Sequence, residues 1–161
     1  MQHATSDGMV TVLLPEGPGW AVDAQIADAG GQRVSAIKCR RTGDGEFFFA
    51  IAKDYTVALD DVCAPEELLA EIYPVFYAKV FASVTVVDVR ELVVADRRWC
   101  EADYRFVHPR FGDIEKRERV TVVDEHVLLV SGEGDPAAMR AHADMLRAWL
   151  DGAAFATLRN P

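Results

Sequence analysis

The chain has 161 residues and a formal net charge of −9, and 50% of its residues are hydrophobic. This length and composition predict one domain whose apolar core needs no metal or disulfide to hold it together. The acidic balance opposes non-specific binding to nucleic acid or to an anionic membrane. The sequence has no run of about 18 apolar residues, so we expect no membrane insertion.

The cysteines and the N-terminus indicate the compartment. Cys39, Cys63 and Cys100 are odd in number and widely spaced, and none belongs to a CxxC pair, which is typical of reduced thiols in a cytoplasmic protein. The first twenty residues have neither a basic start nor a long apolar run, a composition that argues against a standard secretory signal peptide. We therefore expect a cytoplasmic protein.

The N-terminal half reads as short strands separated by turn residues. Residues 1–8 are polar and are expected to be a flexible N-terminus. The predicted strands span 9–14, 20–26, 33–41 and 46–53, with a hairpin turn at 42–45. The last of them, "EFFFAIAK", is apolar throughout its centre and is predicted to be a middle strand.

A helix is predicted to begin at Pro65. Proline suits the first helical position, and the two acids that follow suit the positive end of the helix dipole. Pro74 lies inside the helical pattern and should kink or divide the helix. One apolar face is predicted from residues that repeat at three and four positions: Leu68, Ile72, Val75, Phe76 and Val80.

The second half predicts a meander followed by a terminal helix. Strands are expected at about 84–94, 98–107, 115–123 and 126–131, joined by short turns and therefore antiparallel. The helix should run from 136 to about 151, with His142, Leu146 and Trp149 on its apolar side. The predicted fold class is α+β: a mostly antiparallel sheet flanked by a helix in the N-terminal half and a C-terminal helix. One domain should span 9–155, with a tail at 156–161.

The segment from Gly132 to Ala137 fits the glycine template of dinucleotide-binding proteins. That template works inside a βαβ unit, whereas only 24 residues follow Ala137 and they contain no predicted strand. Glu133 and Asp135 would repel phosphates, and Pro136 lacks an N–H group. We therefore expect a bend in which the glycines give turn freedom and Asp135 caps the last helix. No cofactor is expected.

The order of elements resembles the PsbP-like superfamily. The residues that carry the resemblance are "PEGPGW", the helix start "PEELL" and the closing segment "VTVVDEHVLLVSGEGDPAAMRAHADMLRAWL". The superfamily includes DcrB-type proteins and Eag-type chaperones, and its fold is an antiparallel sheet flanked by helices. The resemblance implies a binding module, adaptor or chaperone rather than an enzyme, and it offers no catalytic residues to carry over.

Acidic side chains on one strand admit a structural explanation. Glu101 and Asp103 share a strand face, as a general acid–base pair could. In one antiparallel register, however, each charged residue meets an opposite charge, and such pairs stabilise a sheet. The predicted partners are Glu101 with Arg119, Asp103 with Arg117 and Arg105 with Glu115.

The remaining reactive side chains form no recognisable site. The four histidines, His3, His108, His126 and His142, show no zinc-like spacing. Cys63 precedes a helix start, which could lower the pKa of a thiol, but the sequence nominates no base beside it. We therefore assign no catalytic residue and no metal ligand.

The predicted function is that of a protein-binding adaptor or chaperone. The candidate partner-binding residues are aromatic and basic side chains near predicted loops: Arg97, Trp99, Arg110 and Phe111. Arg and aromatic residues are enriched at interface hot spots. The expected partner is another protein, and a homodimer is compatible with this. The alternative is a small-molecule-binding protein or enzyme with a pocket between sheet and helix, near Tyr73, Tyr77 and Trp149.

Overall fold

A computed structural model describes residues 1–43 and 45–158. The strands are β1 Gln2–Ala4, β2 Val10–Leu13, β3 Trp20–Ala29, β4 Gln32–Arg41, β5 Phe48–Thr56, β6 Ser83–Val94, β7 Arg97–His108, β8 Gly112–Val123, β9 His126–Gly134 and β10 Ala154–Phe155. The α-helices are α1 Pro65–Glu67, α2 Tyr73–Tyr77, α3 Pro136–Ala141 and α4 Ala143–Gly152, and a π-helical turn, Leu68–Ile72, joins α1 to α2. Short 3-10 helices occupy Leu59–Asp61 and Ala156–Leu158.

Seven strands form one antiparallel sheet in the order β3-β4-β5-β9-β8-β7-β6, and β1, β2 and β10 form a small second sheet. β5 lies between β4 and β9, so the predicted middle strand is confirmed. Its pairing with β9 joins the two halves of the chain. The predicted α+β class, with a mostly antiparallel sheet and few helices, is confirmed.

Each face of the large sheet has its own cover. The segment from α1 to α2 covers one face, here called the α2 face, where Leu69 of the π-helical turn packs in one core with Tyr104, Phe106 and Ile114 of the sheet. The small sheet, α3 and α4 cover the opposite face, here called the α4 face. Trp149 packs in that second core and is 2% exposed, which confirms the prediction that it lies against the sheet. Side chains on each strand alternate between the two cores.

The first eight residues are more ordered than the sequence predicts. β1 pairs with β2, and the carboxylate of Asp7 accepts hydrogen bonds from Thr5 Oγ1 at 2.6 Å, Ser35 Oγ at 2.5 Å and Arg33 Nη2 at 2.7 Å. Burial acts to raise the pKa of Asp7, but these bonds hold it well below its usual range. The polar composition did not indicate this structure, because the contacts that hold the segment are hydrogen bonds between Asp7 and residues of β4, which is distant in the sequence.

The helical segment after Pro65 exposes a face that was predicted to be buried. Leu68 and Leu69 are buried, whereas Val75, Phe76 and Val80 are 55–62% exposed. The predicted kink or division at Pro74 stays a prediction, because a π-helical turn joins α1 to α2 and the backbone remains helical at both junctions. The π-helical turn before α2 contains one residue more than an α-helical turn, so it changes the direction in which the later side chains point around the helix axis. A constant period of 3.6 residues therefore assigned the wrong face.

The bend predicted at the glycines is wrong, because Gly132 and Gly134 both lie inside β9. A Cβ on Gly134 would lie 2.6 Å from the backbone oxygen of Phe47, and one on Gly132 would overlap Leu146. These glycines therefore permit close packing. The predicted helix cap is confirmed: Asp135 Oδ1 accepts from the N–H of Ala137 at 3.0 Å and of Ala138 at 2.9 Å.

The C-terminal helix is divided at His142, whose φ of −107° and ψ of 20° are not helical. Of the predicted tail, 156–158 form a 3-10 helix and 159–161 lie outside the described residues. The predicted turn at 42–45 includes Asp44, which also lies outside them. Within 1–43 and 45–158, no helix is both long and apolar enough to cross a membrane.

Candidate functional site

The hairpin between β7 and β8 places Phe111 at the surface. The strands end with His108 opposite Gly112, and Gly112 has a positive φ of 73°, a conformation that glycine adopts readily at the end of a three-residue hairpin loop. Phe111 is 47% exposed. The loop of residues 109–111 therefore presents its aromatic residue to solvent rather than folding it into the core.

The imidazole of His108 fixes the shape of this loop. Its Nδ1 accepts the backbone N–H of Arg110 at 3.0 Å and that of Phe111 at 3.2 Å. Both bonds require Nδ1 to be unprotonated. The ring of His108 also packs on the ring of Phe111, with 4.7 Å between centroids. His108 therefore holds both the backbone of the loop and the ring of Phe111 in place.

Phe111 belongs to a row of rings on the α2 face, which we call the aromatic strip: Phe49, Phe47, Phe111, His108 and Phe81. Successive ring centroids lie 5.7, 5.1, 4.7 and 5.8 Å apart, the spacing of paired aromatic side chains.

Cations lie over two of these rings. Lys38 Nζ is 4.1 Å from the ring centroid of Phe49, and the guanidinium of Arg110 is 5.3 Å from that of Phe111. Both distances suit cation–π contacts.

Two of the predicted interface residues lie elsewhere. Trp99 is 7% exposed and packs against Phe155 at 6.1 Å between ring centroids. This burial is a correction, because a partner cannot reach the ring of Trp99 in this structure. Arg97 Nη2 donates to the backbone oxygen of Leu158 at 3.3 Å. Both side chains lie on the α4 face, so neither joins Arg110 and Phe111.

The predicted register of the charged hairpin is confirmed, with Glu101 opposite Arg119, Asp103 opposite Arg117 and Arg105 opposite Glu115. Arg117 Nε lies 2.7 Å from Asp103 Oδ1, and Arg119 Nε lies 2.5 Å from Glu101 Oε2.

Sequence reasoning missed Arg90 on β6, which contacts both acids. Burial acts to raise the pKa of Asp103, but Arg117 and Arg90 lower it below its ordinary value. A carboxylate held ionised by two arginines is a structural partner and a poor general base.

A buried ionic cluster lies under α2. Lys116 Nζ is 2.8 Å from Glu118 Oε2 and 3.6 Å from Glu133 Oε2, and Tyr77 Oη donates to Glu118 Oε1 at 2.6 Å. Burial acts to lower the pKa of Lys116, but the two carboxylates raise it above its ordinary value. Burial raises the pKa of Glu133. Since Glu118 is 0% exposed, a substrate cannot reach it in this conformation.

The three aromatic residues of the alternative pocket do not share one cavity. Tyr73 and Tyr77 belong to α2 and pack on the α2 face, whereas Trp149 lies on the opposite side of the sheet. Trp149 lines a cavity of about 490 Å³ beside the loop between β2 and β3. Two of its polar groups already have partners: Trp149 Nε1 donates to Ile51 O at 3.3 Å, and His142 Nε2 is 2.9 Å from Glu46 Oε1. Tyr73 and Tyr77 are not among the residues that line this cavity.

Three side chains place possible metal-ligand atoms close to one another. The ligand atoms of Glu66, Glu91 and Cys100 lie within 4.8 Å of one another. Burial, with a further contribution from Glu66, raises the pKa of Cys100 to about 12. A metal ion would have to displace the proton of this thiol, because metals bind the thiolate. Exposed acidic side chains are often grouped in this way without a metal ion, so the group alone does not identify a metal site.

Comparison with known proteins identifies the fold. No family model matches the chain, and no curated protein matches its sequence. Among solved structures it is similar to cyanobacterial PsbP (CyanoP) from Synechocystis sp. PCC 6803, with a TM-score of 0.65, 8% identity and coverage of 96% of this chain and 91% of that one. It is also similar to PA94 of Pseudomonas aeruginosa, a protein of unknown function suggested to be a regulator, with a TM-score of 0.52, 11% identity and coverage of 77% and 91%.

At such low identity these similarities show fold alone. The finer resemblance to DcrB-type and Eag-type proteins stays a prediction. The chain has a PsbP-like fold.

Proposed function

We propose that the protein is a non-enzymatic binding module, an adaptor or chaperone for another protein, and that it binds through the aromatic strip. The observation that carries this proposal is the stacking of exposed Phe111 on Phe47 and His108, with Arg110 over its ring. Phe111 is 47% exposed although its neighbours hold it in place.

The strip suits protein recognition for two physical reasons. Aromatic and arginine side chains combine a large contact area with directional bonding, and they dominate interface hot spots. The loop is also rigid before binding, because His108 accepts two of its backbone N–H groups. A preorganised loop loses little conformational entropy when a partner docks.

The test is affinity capture from the source cell with the wild type and a double variant, Phe111→Ala with Arg110→Ala. The matched control is Phe76→Ala with Lys79→Ala, because Lys79 Nζ lies 4.8 Å from the ring centroid of exposed Phe76 on the helical segment. The two variants remove the same kinds of side chain from different surfaces. We expect the first to lose a specific protein that the wild type and the control both retain.

Folding is checked by melting temperature, which should change by no more than a few degrees in either variant because the removed side chains are exposed. If the Phe111 variant still captures the partner, the proposal that the aromatic strip binds it is rejected. Capture lost in the Phe76 variant instead would move the interface to α2 and the turn after it, where Val75 and Val80 are also exposed.

A homodimer through a sheet edge is compatible with this proposal. β6 has a neighbour on one side only among the described strands, and Val87 and Val93 on it are exposed. Such an edge can pair with another strand. The register of β6 shifts between Val86 and Asp88, however, and bulges of this kind discourage regular edge pairing. Light scattering on the purified protein distinguishes monomer from dimer.

A further inference from the structure

A groove of about 500 Å³ runs between the charged β7–β8 hairpin and the helices α3 and α4. It lies on the α4 face and is therefore separate from the aromatic strip. Its sheet wall carries Arg105, Arg117 and Arg119, and its helix wall carries Arg140 and Arg147. Cations thus line both sides of the same opening.

The charge of the groove lining differs in sign from the net charge of the whole chain. Its lining holds the five arginines against three carboxylates, Asp103, Glu115 and Asp151, a local balance of 5 − 3 = +2. The whole chain carries −9. Lys116 also borders the groove, but its ammonium lies on the opposite face with Glu118 and Glu133. The lining of the groove thus has a small excess of positive charge in an acidic protein.

Two of the arginines are held in place. Arg117 donates through Nε and Nη2 to Asp103, and Arg119 donates through Nε to Glu101 and through Nη1 to Asp151. Each keeps a terminal nitrogen outside these bonds. A guanidinium already fixed by one carboxylate loses little entropy when it binds another.

The other three arginines have no carboxylate within 4.0 Å in the part of the chain that the structure describes: Arg105, Arg140 and Arg147. All three are exposed. Their donors are available to a ligand that supplies carboxylates.

We propose that this groove binds an acidic, extended segment of a partner protein. The cations are spread along two walls that come from four elements, an arrangement that matches a chain of successive carboxylates better than one small anion. Apolar side chains stand between them, among them Val87, Met139 and Ala143, which suits alternating acidic and aliphatic residues. Arginine binds carboxylates through charge-assisted, often bidentate hydrogen bonds.

This inference rests on the proposed adaptor function and specifies the class of partner. It uses a second surface, on the other side of the sheet from Phe111. The two surfaces can therefore be tested independently.

The test is a titration of isotope-labelled protein, followed by NMR amide shifts, with an acetylated, amidated heptapeptide in which Glu and Leu alternate. The variant is Arg105→Gln with Arg147→Gln. The control is Lys79→Gln with Arg98→Gln, which removes the same charge from the opposite side, because Arg98 alternates with Trp99 on β7 and Lys79 follows α2.

We expect saturable shifts of groove amides with the wild type. Affinity should fall at least about tenfold in the Arg105/Arg147 variant and stay unchanged in the control. The same peptide with Gln in place of Glu should not bind.

Several results would overturn the proposal. They are the absence of saturable shifts, equal loss in the control variant, or shifts confined to the aromatic strip. Citrate that binds as tightly as the peptide would make the groove a small-anion site. The titration uses purified protein, so its result is independent of the capture experiment. If the peptide binds the groove but the Phe111 variant still captures the partner, the strip is rejected and the groove is kept. If the peptide does not bind but the Phe111 variant loses the partner, only the groove is rejected.

Discussion

Gly132 on β9 and Leu146 on α4 lie so close together that a methyl group on the glycine would overlap Leu146 Cδ1. The neighbouring Gly134 has a different limit, because a methyl group there would lie 2.6 Å from the backbone oxygen of Phe47. The end of a leucine side chain can rotate away, whereas the backbone at Phe47, next to the start of β5, cannot. We expect Gly134→Ala to lower the free energy of unfolding by about 1–3 kcal/mol, and more than Gly132→Ala does. Urea unfolding measures both.

The control for this prediction is Gly152→Ala, since a methyl group there meets only Leu13 Cδ1 at an ordinary 3.7 Å. Alanine in a helix should leave stability equal or higher. Leu146→Ala combined with Gly132→Ala should show coupling, because the smaller side chain makes room for the methyl group. Additive losses in the double variant would disprove the contact.

Charge reversal on the β7–β8 hairpin should be partly reversible. Asp103→Arg places a new cation beside Arg117 and Arg90, which now lie 2.7 and 2.9 Å from the carboxylate. The expected cost is about 1–2 kcal/mol, since two favourable pairs are replaced by repulsion. Adding Arg117→Asp should restore part of it. Restoration is incomplete because Glu101 lies 3.8 Å from the Nε of Arg117.

The dependence on pH gives an independent check of that pair. The folded-state pKa of Asp103 lies below its ordinary value, so its stabilising contribution is present above the unfolded-state pKa of about 3.9. It is lost as pH falls through the folded-state pKa. Asp103→Asn should therefore lose stability at pH 7 and differ least from the wild type in strong acid. A pH-independent difference would contradict the ion pair.

Features with local signals were predictable from the sequence, and those made by distant contacts were not. The hairpin register followed from complementary charges on adjacent strands, and the helix cap from Asp135 next to Pro136. Phe47 and Phe111 are far apart in the sequence, so nothing local indicates that they stack. Nothing local in the sequence indicates that Lys116 and Glu118 are buried, because the partners that make their burial tolerable lie on other elements: Tyr77 and Glu133.

The buried cluster predicts an unusual response to pH. Lys116→Met should lower the free energy of unfolding at pH 7 by about 3–5 kcal/mol, because two buried carboxylates lose their cation. Burial already raises the folded-state pKa of Glu133, and without Lys116 this pKa should rise further above the unfolded value of about 4.3. Such groups favour the folded state more as pH falls through the folded-state pKa. Urea unfolding at pH 7 and pH 5 should show a smaller loss at pH 5.

The matched control for the cluster is Lys79→Met, which removes an exposed ammonium from the helical segment. It should change stability by less than about 0.5 kcal/mol at either pH. A Lys116→Met variant that loses the same stability at both pH values would mean that the carboxylates are not coupled to it.

The three cysteines should differ in reactivity. Burial raises the pKa of Cys39 to about 11 and, with Glu66, that of Cys100 to about 12, and both thiols are buried. Cys63 is partly exposed. Disulfide reagents attack the thiolate at an accessible sulfur, so Ellman's reagent should label Cys63 alone in the native protein and all three thiols in denaturant. Native Cys63→Ser should not react within the same time, and a second fast thiol would contradict the packing of β4 or β7.

Trp149 links α4 to the centre of the large sheet. It is 2% exposed, and its Nε1 donates to the backbone oxygen of Ile51 on β5 at 3.3 Å. Trp149→Ala should cost about 3–5 kcal/mol, because it opens a cavity in the core and removes the hydrogen bond to Ile51. Trp149→Phe keeps most of the apolar contact and should cost distinctly less. If both substitutions left the urea midpoint unchanged, α4 would not be anchored on the sheet, and the helix wall of the arginine groove would have no fixed position opposite Arg117.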